Sequence, residues 1–113
     1  LTPGPYTLIL KSNRTLAKQI NDRRLNVGIR IPNFELLQAI VQHFGKPLAT
    51  TTCGKEDEEL RFGYEVQEKY GHMLDLLLDL GAEVEPRMTS IIDFSMNMPI
   101  VIRKGAGDVS MFD

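Results

Sequence analysis

In the stretch Asn26-Val27-Gly28-Ile29-Arg30-Ile31-Pro32, a guanidinium stands two residues from a glycine. Positions two apart share a face of an extended chain, so Asn26, Gly28 and Arg30 lie on one side and Val27, Ile29 and Ile31 on the other. The glycine leaves open room beside the arginine. A planar, permanently charged fork on a rigid strand suits a carboxylate or a phosphate. The competing reading is a strand-end arginine that reaches solvent or pairs with a surface acid. A second arginine, Arg103, lies in the β-rich run from Pro99 to Lys104. If that run pairs with Met88 to Ser95 in a hairpin across Asn97, Arg103 comes opposite Thr89 and Ser90. Three consecutive hydroxyls, Thr50-Thr51-Thr52, precede Cys53-Gly54. They are either β-branched strand residues or one wall of an anion site beside Arg30.

The elements that must hold these groups follow from periodicity. Thr2-Pro3-Gly4-Pro5 is turn chemistry, and Tyr6 to Lys11 (YTLILK) then alternates as a strand, with Thr7 and Ile9 on one face. The polar, basic segment Ser12 to Arg24 reads as a mobile surface segment with a short helix over Thr15 to Ile20. From Asn33 to Phe44, Leu36, Leu37, Ile40, Val41 and Phe44 repeat at helical spacing. Asn33 is the expected cap and Gly45 the expected stop. Leu48 to Thr52 is expected as a strand, which with the strand before the helix makes a βαβ unit. The edge where such strands end is where open α/β sheets bind ligands. Glu65 to Tyr70 reads as a helix ended by Gly71. Met73 to Leu80 (MLDLLLDL) suits helix or strand, and its length and Gly81 favour a strand. Pro99 opens the second strand of the hairpin, where a missing N–H is tolerated.

A chain of 113 residues with 42% apolar and 25% charged content has enough material for one domain of ordinary globular type. It has no apolar run long enough to span a bilayer and no signal-peptide pattern at its start. The single cysteine, Cys53, excludes an internal disulfide and fits a reducing, cytoplasmic setting. His43, His72 and Cys53 lack metal-ligand spacing, so no metal site is expected. His43 reads as a surface residue in a last helical turn. The methionines read as packing rather than a cofactor box. Net charge is −2 but uneven: residues 1–30 carry six basic side chains against Asp22, a net of +5, and the rest of the chain is acidic. That asymmetry suggests an early segment that faces an anion.

Four motifs in order resemble the YrdC/YciO family. They are Thr2-Pro3-Gly4-Pro5-Tyr6-Thr7-Leu8-Ile9-Leu10-Lys11, Val27-Gly28-Ile29-Arg30-Ile31-Pro32, Gly45-Lys46-Pro47-Leu48-Ala49-Thr50-Thr51-Thr52, and Thr89-Ser90-Ile91-Ile92-Asp93 with Val101-Ile102-Arg103-Lys104-Gly105-Ala106-Gly107-Asp108. The closing Gly-Asp resembles the YciO branch. The resemblance implies an α/β fold, a twisted mixed sheet with flanking helices around a concave, positively charged cavity. It implies L-threonylcarbamoyl-adenylate synthesis from ATP, L-threonine and bicarbonate with Mg2+, releasing pyrophosphate, for threonylcarbamoyladenosine modification of tRNA. No tightly bound cofactor is implied. The alternative that it carries is a YciO-type module that binds a nucleotide, tRNA or double-stranded RNA without turnover, and no membrane partner.

The same resemblance assigns positions. Arg30 matches the arginine of the family's Arg-x-Pro strand, and Arg103 the arginine near its end, expected at the phosphates. Thr50 and Thr52 match the serines of its Ser-Thr-Ser-Ala-Asn stretch. Thr89 matches the serine of its Ser-Thr-Val strand. Thr7 matches the threonine of its Pro-Gly-Pro-x-Thr turn and lines the cavity. Gly54 departs from the pattern, since active enzymes carry asparagine there. The family's N-terminal half, with its Lys-x-Arg motif, has no counterpart here. Residues 1–113 are therefore expected to be the C-terminal portion of one YrdC-like domain, with a sheet incomplete on its N-terminal side and no catalysis alone.

Overall fold

A computed structural model describes residues 1–12, 26–54 and 58–113. They form two compact units, residues 1–49 with 87–113, and residues 50–86. The expected basic surface segment and its short helix fall largely outside the described residues.

The first unit is a mixed sheet of four strands. β1 is Tyr6–Lys11, β2 Asn26–Ile29, β3 Ser90–Asp93 and β4 Ile100–Arg103, in the order β2-β1-β3-β4. β1 pairs antiparallel with β2, with Leu8 opposite Ile29 and Lys11 opposite Asn26. It pairs parallel with β3, from Tyr6 opposite Ser90 to Ile9 opposite Asp93. β3 and β4 form the expected antiparallel hairpin. Alternation sends Tyr6, Leu8 and Ile92 to one face. There Tyr6, Ile92 and Val109 are buried, with Leu8, Phe94, Val101 and Phe112 packed against them. Ile92 is fully buried, which contributes about 1.5–3 kcal/mol. Phe94 and Phe112 meet edge to face, 6.0 Å between centroids.

The C-terminal tail closes that core through polar ties. Tyr6 donates its hydroxyl to the Asp108 carbonyl at 2.9 Å. The buried Ser90 donates to the Gly107 carbonyl at 2.6 Å and accepts from the Gly105 amide at 2.9 Å. Gly107 lies against the Tyr6 ring, where a side chain would collide. Both ends of the tail are thereby fixed to β1 and β3, which positions Arg103 and its neighbours.

Helix α1, Glu35–Phe44, carries the expected apolar stripe. Gly45 ends it in the left-handed region (φ 77°), its N–H donated to the Val41 carbonyl. The expected Asn33 cap is corrected: Phe34 occupies the cap position with no side-chain bond. Gln38 instead reaches back to the Pro32 carbonyl at 2.8 Å, which ties the first turn to the incoming chain.

Two expected strands are absent. Leu48 to Thr52 is outside any strand, so the βαβ unit around α1 is not formed. The parallel pair is β1 with β3 instead. Leu74 to Leu80 is likewise outside any strand or helix. Both runs have strand-forming residues, but a strand exists only when a neighbour satisfies its backbone groups.

In the second unit, helix α2 spans Gly63–Tyr70 and runs into a 3-10 turn, Gly71–Met73, rather than stopping at Gly71. Glu65 accepts the amides of Arg61 and Phe62, both at 3.1 Å, which ties the first turn to the incoming chain. Lys69 and Tyr70 converge on Glu58. Its hydrogen bond raises the Lys69 ammonium pKa, while desolvation and then Glu58 raise that of the Tyr70 hydroxyl. No helix among the described residues is long and apolar enough to cross a membrane.

Candidate anion site on the open sheet face

The sheet face away from the core carries Thr7 and Ile9 of β1, Asn26 and Gly28 of β2, and Ile91 and Asp93 of β3. Strand alternation alone sorts them. Arg30 follows β2 with the parity of Asn26 and Gly28. Its neighbour Ile31 accepts the Gly4 amide at 2.9 Å, which fastens the proline-glycine turn to the end of this strand.

Arg103 reaches this face by an irregularity. Consecutive residues of β3, Ile91 and Ile92, pair with Arg103 and Val101, so Ile102 is the extra residue of a β-bulge. Val101 stays with Ile92 on the core side. Arg103 is turned the other way, as bulges re-aim side chains. Its Nε donates to the Thr89 carbonyl at 2.8 Å and its Nη2 to Thr89 Oγ1 at 3.1 Å. Thr89 Oγ1 also shares a 2.7 Å hydrogen bond with Thr7 Oγ1. The guanidinium is thus held at two points, through Nε and Nη2.

A hollow of about 290 Å3 opens beside this group, lined by Gly4, Pro5, Arg30, Pro32, Asn33, Arg87, Thr89 and Ala106. Thr89 is the common member: it lines the hollow with Arg30 and holds Arg103 in place. Of the residues singled out in the sequence, Arg30, Thr89, Arg103 and Thr7 lie in this unit: Thr89 bonds Thr7 and Arg103, and lines the hollow with Arg30. Thr50 and Thr52 fall in the second unit as exposed residues. Arg87 and Asn33 were missed. Arg87 precedes β3 in a stretch with no period, and nothing in its local pattern marks it. Asn33 was assigned to helix capping, a role that Phe34 occupies.

Two aspartates have depressed pKa values. The Ser95 hydroxyl, then its amide, holds Asp93 below the ordinary carboxylate range. The Ser110 amide, then its hydroxyl, does the same for Asp108. Asp93 is therefore a carboxylate near neutral pH, on the same sheet face as Thr7. Among the described residues no group of three or more His, Cys, Asp or Glu side chains is placed to hold a metal ion.

The chemical capability is that of an anion cradle: a fixed guanidinium, a second arginine, hydroxyls that donate or accept, and backbone turns rich in proline and glycine. The Sua5/YciO/YrdC family, described as "Telomere recombination", matches residues 1–105. The uncharacterized protein YciO of Escherichia coli (strain K12) is 29% identical over 114 residues, which cover 98% of this chain and 55% of that protein. The crystal structure of E. coli YciO superimposes with a TM-score of 0.81 at 30% identity, over 98% of this chain and 55% of that one. Threonylcarbamoyl-AMP synthase of Homo sapiens is 33% identical over 81 residues, 72% of this chain and 29% of that enzyme. The chain thus spans about half the length of the YciO proteins that it matches.

Proposed function

The chain belongs to the Sua5/YciO/YrdC family, and on that footing we propose that its open sheet face is part of a nucleotide site of the threonylcarbamoyl-AMP synthase type. The observation that carries the reading is Thr89, which lines the hollow with Arg30 and fixes the Arg103 guanidinium at 3.1 Å. Two guanidiniums around one hydroxyl can neutralise a triphosphate and the charge that develops at the α-phosphate.

In the reaction so assigned, the L-threonine amine and bicarbonate form a carbamate with loss of water. A carbamate oxygen then attacks the α-phosphorus of ATP. The bond to the bridging oxygen breaks and pyrophosphate leaves with that electron pair, while Mg2+ accompanies the nucleotide as its counter-ion. Arg30 and Arg103 hold phosphate oxygens, and Thr7 and Thr89 keep Arg103 oriented. On this reading the 113 residues bind the nucleotide and do not complete the reaction alone.

A second reading is a YciO-type module that binds nucleotide or double-stranded RNA without turnover, and Gly54 favours it. Its backbone is left-handed (φ 89°), a conformation that glycine and asparagine both adopt. Glycine in place of the synthases' asparagine keeps such a turn and removes its amide. The test is pyrophosphate release from Mg–ATP with L-threonine and bicarbonate, run beside ATP binding by calorimetry. ATP binding that Arg30→Ala weakens, with no release, is expected. Release by the chain alone would overturn the claim of inactivity, and absence of ATP binding would overturn the site.

A further inference from the structure

In the second unit, residues 74–80 (LDLLLDL) place five leucines in seven positions outside any helix or strand. The chain leaves the 3-10 turn at Leu74 in an extended conformation (φ −106°, ψ 134°) and neither turns nor bends from residue 76 to residue 80. Positions two apart share a face of such a chain. Leu76, Leu78 and Leu80 fall on one face and are 75%, 64% and 57% exposed. Leu77 and Asp79 fall on the other and hold the run to its unit. Leu77 is half-buried, and the Asp79 carboxylate lies against Gly63 at the start of α2, where a Cβ would collide with it.

The backbone of the run is as bare as its leucines. Leu74 donates its N–H to the Gly71 carbonyl at 3.2 Å, and Gly81 donates its own to Asp79 Oδ1 at 2.8 Å. Between them, among the described residues, the backbone groups of residues 75–80 make no hydrogen bond. Free N–H and C=O groups along an uncurved run are a template for another strand. A loop made for water would carry polar and turn-forming residues here, whereas leucines repeated along one face mark a surface that is covered by something.

Charge decides what can cover it. Residues 50–86 carry ten acidic side chains against Lys55, Arg61 and Lys69, a net of −7. That field repels nucleic acid and anionic lipid and attracts cations. A second copy fits poorly. Antiparallel self-pairing centred on Leu77 sets Asp75 opposite Asp79, and parallel pairing in register sets each aspartate opposite itself, so both oppose like charges. Antiparallel self-pairing centred on Leu78 presses Asp79 onto Leu77, which desolvates a carboxylate without a partner. A strand with Lys or Arg opposite Asp75 and Asp79, and apolar residues at the three positions between, removes all of these conflicts.

We propose that residues 74–80 are a docking strand for an extended, basic segment of another protein, with Lys or Arg four positions apart and apolar residues between them. Backbone hydrogen bonds to residues 75–80 supply the affinity, and the leucine face and Asp75 select the sequence. The surface uses no residue of the anion site in the first unit.

The test titrates the fluorescein-labelled peptide Thr-Lys-Val-Val-Val-Lys-Thr with the full chain, read by fluorescence anisotropy at about 0.15 M salt. One control peptide has Pro for the central Val, which keeps the charge and interrupts strand pairing. The other has Glu for both Lys. The Lys peptide is expected to bind at least about tenfold more tightly than either control. In amide-exchange NMR it should slow alternate amides within residues 75–80, because successive N–H groups of a strand point to opposite sides. Leu78→Pro removes a backbone donor that the protein itself leaves unused, and Asp75→Lys reverses an exposed charge. Both variants should unfold in urea as the parent does and bind the Lys peptide about tenfold more weakly. Equal binding of the Lys and Pro peptides, or protection that lies outside residues 75–80, reduces the effect to charge attraction and overturns the docking strand. Binding of none of the peptides overturns it as well. Self-association that protects residues 75–80 without peptide assigns the strand to a second copy and overturns the basic partner.

Discussion

Arg103 shows how one side chain becomes useful by being held. Its fork reaches Thr89 through Nε and Nη2, and Thr89 is held by Thr7. Thr89→Val keeps the shape and deletes the hydroxyl. The change is expected to cost about 1 kcal/mol of stability in urea unfolding and to lower tripolyphosphate affinity several-fold, with Thr89→Ser restoring both. If stability falls and affinity does not, the pair is structural only. Asp93 and Asp108 give a pH prediction. Their folded pKa values lie below the ordinary 3.8. A depressed carboxylate contributes stability above its unfolded pKa, and that contribution is lost as pH falls through the folded value. The loss therefore belongs below about pH 4, and Ser95→Ala should move Asp93 upward toward 3.8 in a carboxyl-carbon NMR titration. At this scale the sequence was informative where a period existed. Arg30 shares parity with Gly28 just past the end of β2, and the hairpin placed Arg103 by Thr89. Arg87 sits in aperiodic chain, so its place beside Arg30 follows only from the way β1, β2 and β3 assemble.

The elements that succeed as readings and those that fail differ in what sustains them. A helix closes its hydrogen bonds within itself, so the stripe and the Gly45 stop of α1 sufficed to locate it. A strand borrows its partner. β1 and β3 pair across more than 80 residues of chain, a choice that no local pattern contains. Leu48 to Thr52 and Leu74 to Leu80 have the residues of strands and pair with no strand in the described structure. The β-bulge was equally invisible, because period two assigns Arg103 to the face of Val101. The hairpin end gives a test. A Cβ at Gly105 would lie 2.5 Å from the Met88 carbonyl oxygen and 2.6 Å from the Thr89 carbonyl carbon, both backbone atoms. Gly105→Ala must displace the start of β3 and is expected to cost about 2 kcal/mol. It should weaken tripolyphosphate binding as well, because Thr89 moves with it. Gly45→Ala, which has open space but a positive φ, should cost about 1 kcal/mol and leave binding unchanged. Urea unfolding of the two variants side by side separates collision from backbone conformation.

At the scale of the whole chain, burial and exposure are out of balance. Among the described residues Tyr6, Ile92 and Val109 make up the buried apolar core, while Leu36, Leu37, Val41 and Phe44 of α1 are 37–52% exposed. Single exposed apolar residues are ordinary, but a stripe repeated along one helix face is not, because such a face is normally what holds a helix to its domain. Helices of this length are marginal in water without a packed face, so the stripe should be sticky in solution. Sedimentation velocity over a range of micromolar concentrations is expected to show concentration-dependent association of this chain. Phe44→Glu places a charge on the most exposed member of the stripe, in the last turn of α1. It should shift the species toward monomer while far-ultraviolet circular dichroism keeps the helical signal. Association unchanged by Phe44→Glu and by Leu37→Glu would show that α1 is not the contact. Because neither residue lines the hollow beside Thr89, tripolyphosphate and ATP affinities should be the same in parent and variants.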